Sequence, residues 1–179
     1  SRAERLVNQL LLLMHSEARI DTVMAPVPLT TLIQERMAAL SPLAAERGIE
    51  LEFYSHDETW VTGVRERLMS LIDNVIENAV KYSPQGGRVE VEVRTRDEST
   101  QLRVSDAGPG IPVELRERVF DRFFRDPGQM QSGSGLGLAI VKAVAQQHNS
   151  SVSLSTSAEG GLMVTIDFPN PQGRLKHNI

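Results

Sequence analysis

A chain of 179 residues with 40% hydrophobic and 23% charged residues has the make-up of a soluble globular protein, long enough to bury a substantial core. Its net charge of −4 argues against nucleic-acid binding and a basic membrane patch, and the lack of cysteine excludes disulfides and cysteine-ligated zinc. The apolar run Leu10 to Met14 is far short of a membrane span, and with no initiator methionine or signal-like segment the chain reads as an excised fragment.

Residues 1 to about 18 predict a helix, since Leu6, Leu10 and Leu13 recur at helical spacing while Val7, Leu11 and Met14 widen the apolar stripe. So broad a face calls for a partner, either another helix of a bundle or a second copy of the chain, with packing on its own domain as the third option. Ala25-Pro26-Val27-Pro28 reads as an extended, semi-rigid connection and places a domain boundary. A helix is expected from about Leu29 to Arg47, with Gly48 as its cap and a kink at Pro42 or a break near Leu40. Ile49, Leu51 and Phe53 alternate as in a half-buried strand, and Thr59 to Thr62 is a shorter candidate.

The strongest helical pattern runs from Val64 to Tyr82. Leu68, Leu71, Ile72, Val75, Ile76 and Ala79 form its core stripe, and Asn74, Asn78 and Lys81 share a different face. Val89, Val91 and Val93, then Leu102 and Val104, predict two strands joined by the polar turn Asp97 to Thr100. A short helix is expected from Val113 to about Val119, followed by a long mobile loop from Phe120 to Ser134. Gly133-Ser134-Gly135-Leu136-Gly137 opens a helix reaching about Gln147, strands follow at Val152 to Thr156 and Leu162 to Phe168, and 170–179 reads as a flexible tail. Hairpins mixed with helices predict an α+β fold, one mixed sheet with helices packed on a single face.

Three blocks carry the chemistry. The glycine loop frees the backbone for close approach, and the helix behind it offers unpaired N–H groups to an anion. It is not a dinucleotide fingerprint, because the sixth position of G-x-G-x-x-G holds Leu138, or Ile140 in the shifted frame, and no strand precedes it. No Gly-Lys-Ser/Thr of a P-loop occurs either. Asn74 and Asn78 present hard amide oxygens suited to Mg²⁺, and Lys81 adds a point charge for phosphate. Asp106, at a strand end, can accept from an amino group, while Gly108 and Gly110 let a flat ring lie on the backbone. Each block alone also fits a bland reading, as surface asparagines, a tight turn or a flexible loop.

In order, the blocks resemble the ATP-binding domain of sensor histidine kinases. Asn74-Val75-Ile76-Glu77-Asn78-Ala79-Val80-Lys81-Tyr82 is similar to the N box, Asp106-Ala107-Gly108-Pro109-Gly110 to the G1 box, Phe120-Asp121-Arg122-Phe123-Phe124-Arg125 to the F box and Gly133 to Gly137 to the G2 box. The likeness covers about residues 29 to 168. It implies the Bergerat two-layer α/β sandwich shared with DNA gyrase, Hsp90 and MutL, preceded by one helix of the dimerisation and phosphotransfer hairpin. The domains implied are 1–24 for that helix and its linker, 25–169 for the ATP-binding domain and 170–179 for the tail.

The resemblance also implies roles. Asn78 would ligate Mg²⁺ with Asn74 assisting, Lys81 would contact phosphate and Tyr82 would sit against ribose or adenine. Asp106 would accept the adenine amino group, with Gly108, Gly110 and Ile111 shaping the pocket. Arg125 and the loop to Ser134 would form an ATP lid, closing through Gly133, Ser134, Gly135, Leu136 and Gly137, with Lys81 and Arg125 touching the phosphates during transfer. Phe123 and Phe124 anchor the lid or touch ligand with equal weight. Glu77, three positions past Asn74, is expected to point elsewhere and to support the site from behind.

The ATPases of that superfamily place a water-activating glutamate where this chain has Asn74, and an amide is no base at neutral pH. Slow hydrolysis is therefore expected, with the γ-phosphoryl kept for a protein acceptor. That acceptor would be a histidine on the hairpin's first helix. None of His15, His56, His148 or His177 has the family's acceptor context, and each reads as a surface histidine. The expectation is thus a catalytic fragment that binds Mg·ATP, does not phosphorylate itself, and serves a homodimeric, two-component kinase of the bacterial inner membrane. Its own hairpin and a response regulator would be the partners. A conformational ATPase and a non-catalytic nucleotide-binding module are the alternatives.

Overall fold

The computed structural model describes residues 2–17, 23–96, 99–128 and 133–169. The first helix, α1, spans Arg2–Glu17. Leu13 is buried, and Leu6 and Leu10 pack against the core beside the glycine-rich helix, so α1 does pack on its own domain. The other flank is left uncovered, with Val7 54%, Leu11 44% and Met14 63% exposed.

The extended stretch at 25–28 is a strand rather than a linker. Ala25–Pro28 (β1) pairs antiparallel with Trp60–Gly63 (β3), Val27 lying opposite Val61, and both valines are buried. Pro26 and Pro28 offer no N–H, which confines them to the edge of such a two-stranded ribbon. The single sheet expected from sequence is therefore a larger sheet plus this ribbon.

Helix α2 (Leu29–Glu46) runs through Pro42 without a break. Proline has no N–H for the Ala38 carbonyl, and Ser41 Oγ donates to that oxygen at 2.9 Å instead. Gly48, at φ 65°, occupies the left-handed position just past the helix end.

The main sheet has the order β2-β4-β5-β7-β6. Its strands are Glu50–Tyr54 (β2), Arg88–Thr95 (β4), Ser99–Asp106 (β5), Ser151–Thr156 (β6) and Leu162–Pro169 (β7). β2 pairs parallel with β4, and every other pairing is antiparallel. Val89, Val91, Leu102, Val104, Val164 and Ile166 are buried on one face, while Glu90, Glu92, Gln101, Arg103 and Asp167 alternate onto the other. That one-sided apolar pattern is what α2, α3 (Arg65–Tyr82) and α4 (Gly137–Gln147) cover, giving the α+β sandwich. Residues 97 and 98 of the β4–β5 turn lie outside the described residues.

Two further expectations fail for identifiable reasons. The helix expected from Val113 to Val119 is two 3-10 turns, Val113–Leu115 and Arg118–Phe120. Arg116 Nε donates to the Ile111 carbonyl at 3.1 Å and its Nη2 reaches Thr156 Oγ1 at 3.0 Å. With Ile111 O engaged by that side chain, Leu115 N–H turns to Pro112 O and sets the tighter register. Second, His148 is no surface residue, being 4% exposed. Its Nδ1 donates to Val144 O at 2.7 Å, and its Nε2 accepts the Val64 N–H at 3.0 Å, joining the end of α4 to the start of α3. His56 is exposed, as expected. The side chain of His15, His177 and the 170–179 tail lie outside the described residues.

Candidate functional site

The three blocks, far apart in sequence, face one cleft of about 500 Å³. α3 supplies Asn74, Asn78, Lys81 and Tyr82, the end of β5 supplies Asp106, Gly110 and Ile111, and the segments flanking residues 129–132 supply Arg125, Gly133, Ser134, Gly135 and Gly137. Residues 129–132 themselves lie outside the described residues. Every site residue expected from sequence lines the cleft except Gly108 and Leu136.

The α3 contribution follows from its amphipathic pattern. Burying Leu68, Leu71, Ile72, Val75 and Ile76 turns Asn74 and Asn78 away from the core. Asn74 Nδ2 donates to Ser70 O at 2.7 Å, which leaves Oδ1 towards the cleft. A Cβ placed on Gly137 would lie 3.3 Å from Asn78 Oδ1 and 3.5 Å from Asn74 Oδ1, so the start of α4 stacks on both amides. Glu77 lines the same cleft, contrary to the sequence expectation, because residues three apart are neighbours on a helix surface.

Lys81 closes the cationic end. Burial lowers its pKa from the usual lysine value, and the charges of Arg125 and Arg47 lower it further. Its Nζ donates to Tyr82 Oη at 3.3 Å, 4.7 Å from the ring centroid. Gly133 packs against this ammonium, and a Cβ there would require the Lys81 Nζ to move aside. Burial also raises the pKa of the Tyr82 hydroxyl, with the Arg125 charge opposing.

Asp106 is buried at the opposite wall. Its Oδ1 accepts from Gly108 N–H at 2.9 Å and Leu162 N–H at 3.0 Å. Burial raises its pKa, and these two donors hold it partly down. Ser157 Oγ donates to the Asp106 carbonyl at 2.7 Å and accepts from Gly161 N–H at 2.9 Å. A Cβ on Gly161 would collide with the Asp106 main chain, and one on Gly108 would come within 2.6 Å of Tyr82 O. Gly108 therefore shapes the cleft from behind. Leu136 faces the core, fully buried, at the cap position of α4.

The two phenylalanines separate. Phe124 lines the cleft under the Arg118 guanidinium, 4.8 Å from its ring, whereas Phe123 is 59% exposed at φ 62° with its N–H bonded to Gly135 O. Sequence reasoning missed Leu6 and Gln9 from α1, Leu43 from α2 and Arg47 just past its end, and the Ser157–Gly161 turn beneath Asp106. Only the Gly160-Gly161 pair was a visible signal.

Chemically, the cleft offers three cationic side chains, the amides of Gln9, Asn74 and Asn78, and the carboxylates of Glu77, Asp126 and the buried Asp106, against apolar sides from Val104, Leu162 and Val164. The hard oxygens of Asn74 and Asn78 fit magnesium that brings its remaining ligands with a phosphate compound. Among the described residues no cluster of three His, Cys, Asp or Glu side chains forms a cage of its own.

Comparisons with known proteins identify the family and the fold. The model of the family described as histidine kinase-, DNA gyrase B-, and HSP90-like ATPase matches residues 63–172. The sensor protein kinase PmrB of Pseudomonas aeruginosa is 38% identical over 96% of this chain, and the signal transduction histidine-protein kinase BaeS of Escherichia coli is 34% identical over 87%. The chain spans about a third of the length of those relatives, 36% and 34%. Among solved structures, a mycobacterial sensor histidine kinase, MprB, superposes with a TM-score of 0.74 at 35% identity, covering 82% of this chain and 97% of that one. Full-length ShkA in complex with AMPPNP gives 0.81 at 28% identity, covering 92% of this chain and 35% of that one.

Proposed function

The chain belongs to the family of histidine kinase-, DNA gyrase B- and HSP90-like ATPases, as an ATP-binding domain homologous to those of sensor histidine kinases, and from that premise we propose that it binds Mg·ATP and phosphorylates a histidine outside itself. The observation that carries this reading is the meeting of α3, the Asp106 turn and the Gly133–Gly137 loop in one cleft. Asp106 accepts the adenine amino group, with Ile111 and the glycines of its turn against the ring. Tyr82 packs beside the ribose. Lys81 and Arg125 hold the phosphates, and the segment from Phe120 to Ser134 closes over them through the glycine loop. Asn78, assisted by Asn74, holds magnesium, which when bound neutralises phosphate charge.

What these residues supply is position and charge, since phosphoryl transfer asks little covalent chemistry of the protein. The bond between the γ-phosphorus and its bridging oxygen breaks, a phosphorus–nitrogen bond forms to an imidazole, and ADP leaves. The imidazole proton passes to a base beside the acceptor, outside this chain. The phosphoryl group then moves to an aspartate of a response regulator. We place 1–24 as a hairpin helix and linker, 25–169 as the ATP-binding domain and 170–179 as a tail, within a homodimeric kinase of the bacterial inner membrane with this part in the cytoplasm. Among the described residues no helix is long and apolar enough to cross a membrane.

Titration calorimetry with ATP, with and without magnesium, tests the site. Asn78→Ala is expected to abolish the magnesium-dependent part of binding, and unchanged affinity would remove the metal role.

A further inference from the structure

Arg47 stands at the junction of two helix ends and no motif includes it. It follows the last turn of α2 and reaches across to the last turn of α3. Its Nη2 donates to the Lys81 carbonyl at 2.8 Å and its Nε to the Val80 carbonyl at 3.3 Å. Those carbonyls belong to the final turn of α3, where no further turn of helix supplies N–H partners. A guanidinium there satisfies two acceptors at once and places a positive charge at the negative end of the helix. The neighbouring backbone reinforces the junction, with Gly86 N–H donating to Gly48 O at 2.9 Å and Glu50 N–H to Gly87 O at 3.1 Å.

Two further facts make this more than a helix cap. Arg47 lines the cleft beside Leu43, on the side where Lys81 and Tyr82 stand. No carboxylate among the described residues forms an ion pair with it, so its hydrogen bonds go to the two α3 carbonyls.

We infer that Arg47 is a positioning residue for the phosphate end of the nucleotide site, fixing the turn that carries Lys81 and Tyr82 and adding a stationary positive charge beside them. The inference rests on the nucleotide reading above and extends the site to α2. The charged and titratable groups that line the cleft with the Lys81 ammonium are Arg125, Arg47, Glu77, Asp126, Asp106 and the Tyr82 hydroxyl, and of these Arg125 and Arg47 lower its pKa. Arg47 acts there by repulsion, so its loss moves the loss of the Lys81 proton to higher pH.

The test compares the whole chain as wild type, Arg47→Lys and Arg47→Met for ATP affinity, adenosine affinity and the alkaline limb of ATP binding. R47M is expected to weaken ATP by about tenfold and adenosine by less than twofold. Its alkaline limb moves to higher pH, and that of R47K, which keeps the charge, stays in place. Equal weakening of ATP and adenosine, or a fall in melting temperature with ATP affinity unchanged, would overturn the inference and leave a plain helix cap. Should R47M not fold, R47K must still bind ATP more weakly than wild type at unchanged adenosine affinity, and equal ATP affinity would overturn it. A wild type that binds no ATP would overturn the nucleotide reading and the inference together.

Discussion

Gln9 on α1 donates from Nε2 to Oδ1 of Asn74 on α3, 3.4 Å away. The same side chain accepts at Oε1 from Ser134 Oγ of the glycine loop at 3.3 Å. The first helix thus engages, with one amide group, the residue proposed to assist magnesium and a residue of the loop proposed to close over the phosphates.

On the proposed nucleotide reading, Mg·ATP and docked α1 compete for Asn74 and Ser134. Gln9→Ala is expected to tighten Mg·ATP binding about fivefold, the equivalent of one net hydrogen bond of about 1 kcal/mol. Titration calorimetry reads the change directly. A weaker or unchanged affinity would mean that Gln9 does not oppose the ligand.

Gly161 is the position beneath Asp106 with no room for a side chain. Gly161→Ala should displace the Asp106 main chain, cost about 1–3 kcal/mol in overpacking, and lower affinity for adenosine as well as ATP. Urea unfolding and adenosine titration check both halves. Full adenosine affinity in a destabilised variant would separate Asp106 from base recognition.

His148 predicts a pH dependence whose sign is fixed by its bonds. Burial lowers its pKa below the ordinary histidine value, the Arg67 charge acts the same way, and the Val144 carbonyl opposes them. The neutral ring is needed because Nε2 accepts the Val64 N–H. Above the unfolded pKa of about 6.5 this contribution to stability is fully present, and it declines as pH falls below that towards the lower folded value. Chemical unfolding at pH 8 and pH 5.5 should show wild type losing more stability than His148→Gln over the same interval. Equal losses would exclude His148 as the titrating group.

The parts of the molecule readable in the sequence are those set by local periodicity. The core stripe of α3 fixes where Asn74, Asn78 and Lys81 point, and alternation along β5 brings Asp106 to a strand end. What the sequence hides are contacts between residues far apart in the chain. The Gln9–Asn74 bond spans 65 residues, Leu162–Asp106 spans 56 and Val64–His148 spans 84. No periodicity encodes such approaches, so from sequence His148 reads as surface, 25–28 as a linker and Arg47 as no more than the end of a helix. Glu77 was misplaced for a different reason, the angular spacing of an i, i+3 pair. The Val113–Val119 helix failed because the Arg116 side chain takes up the Ile111 carbonyl, a competition invisible to helical propensity.

Asn74 also bears on the choice between kinase and ATPase. A neutral amide cannot take a proton from water, while the Glu77 carboxylate lines the same cleft. Phosphate release by Glu77→Gln and wild type therefore gauges whether Glu77 activates water. The kinase account expects both rates to be low and equal.

The central claim is that the γ-phosphoryl goes to a histidine supplied from outside. Incubating the chain with γ-labelled ATP and magnesium, alone and with the complete hairpin of its parent protein, tests this most directly. The account predicts label on the hairpin histidine with matching formation of ADP, no label on the chain alone, and little free phosphate in either mixture. Label on the chain itself, or free phosphate released as fast without the hairpin as with it, would contradict it.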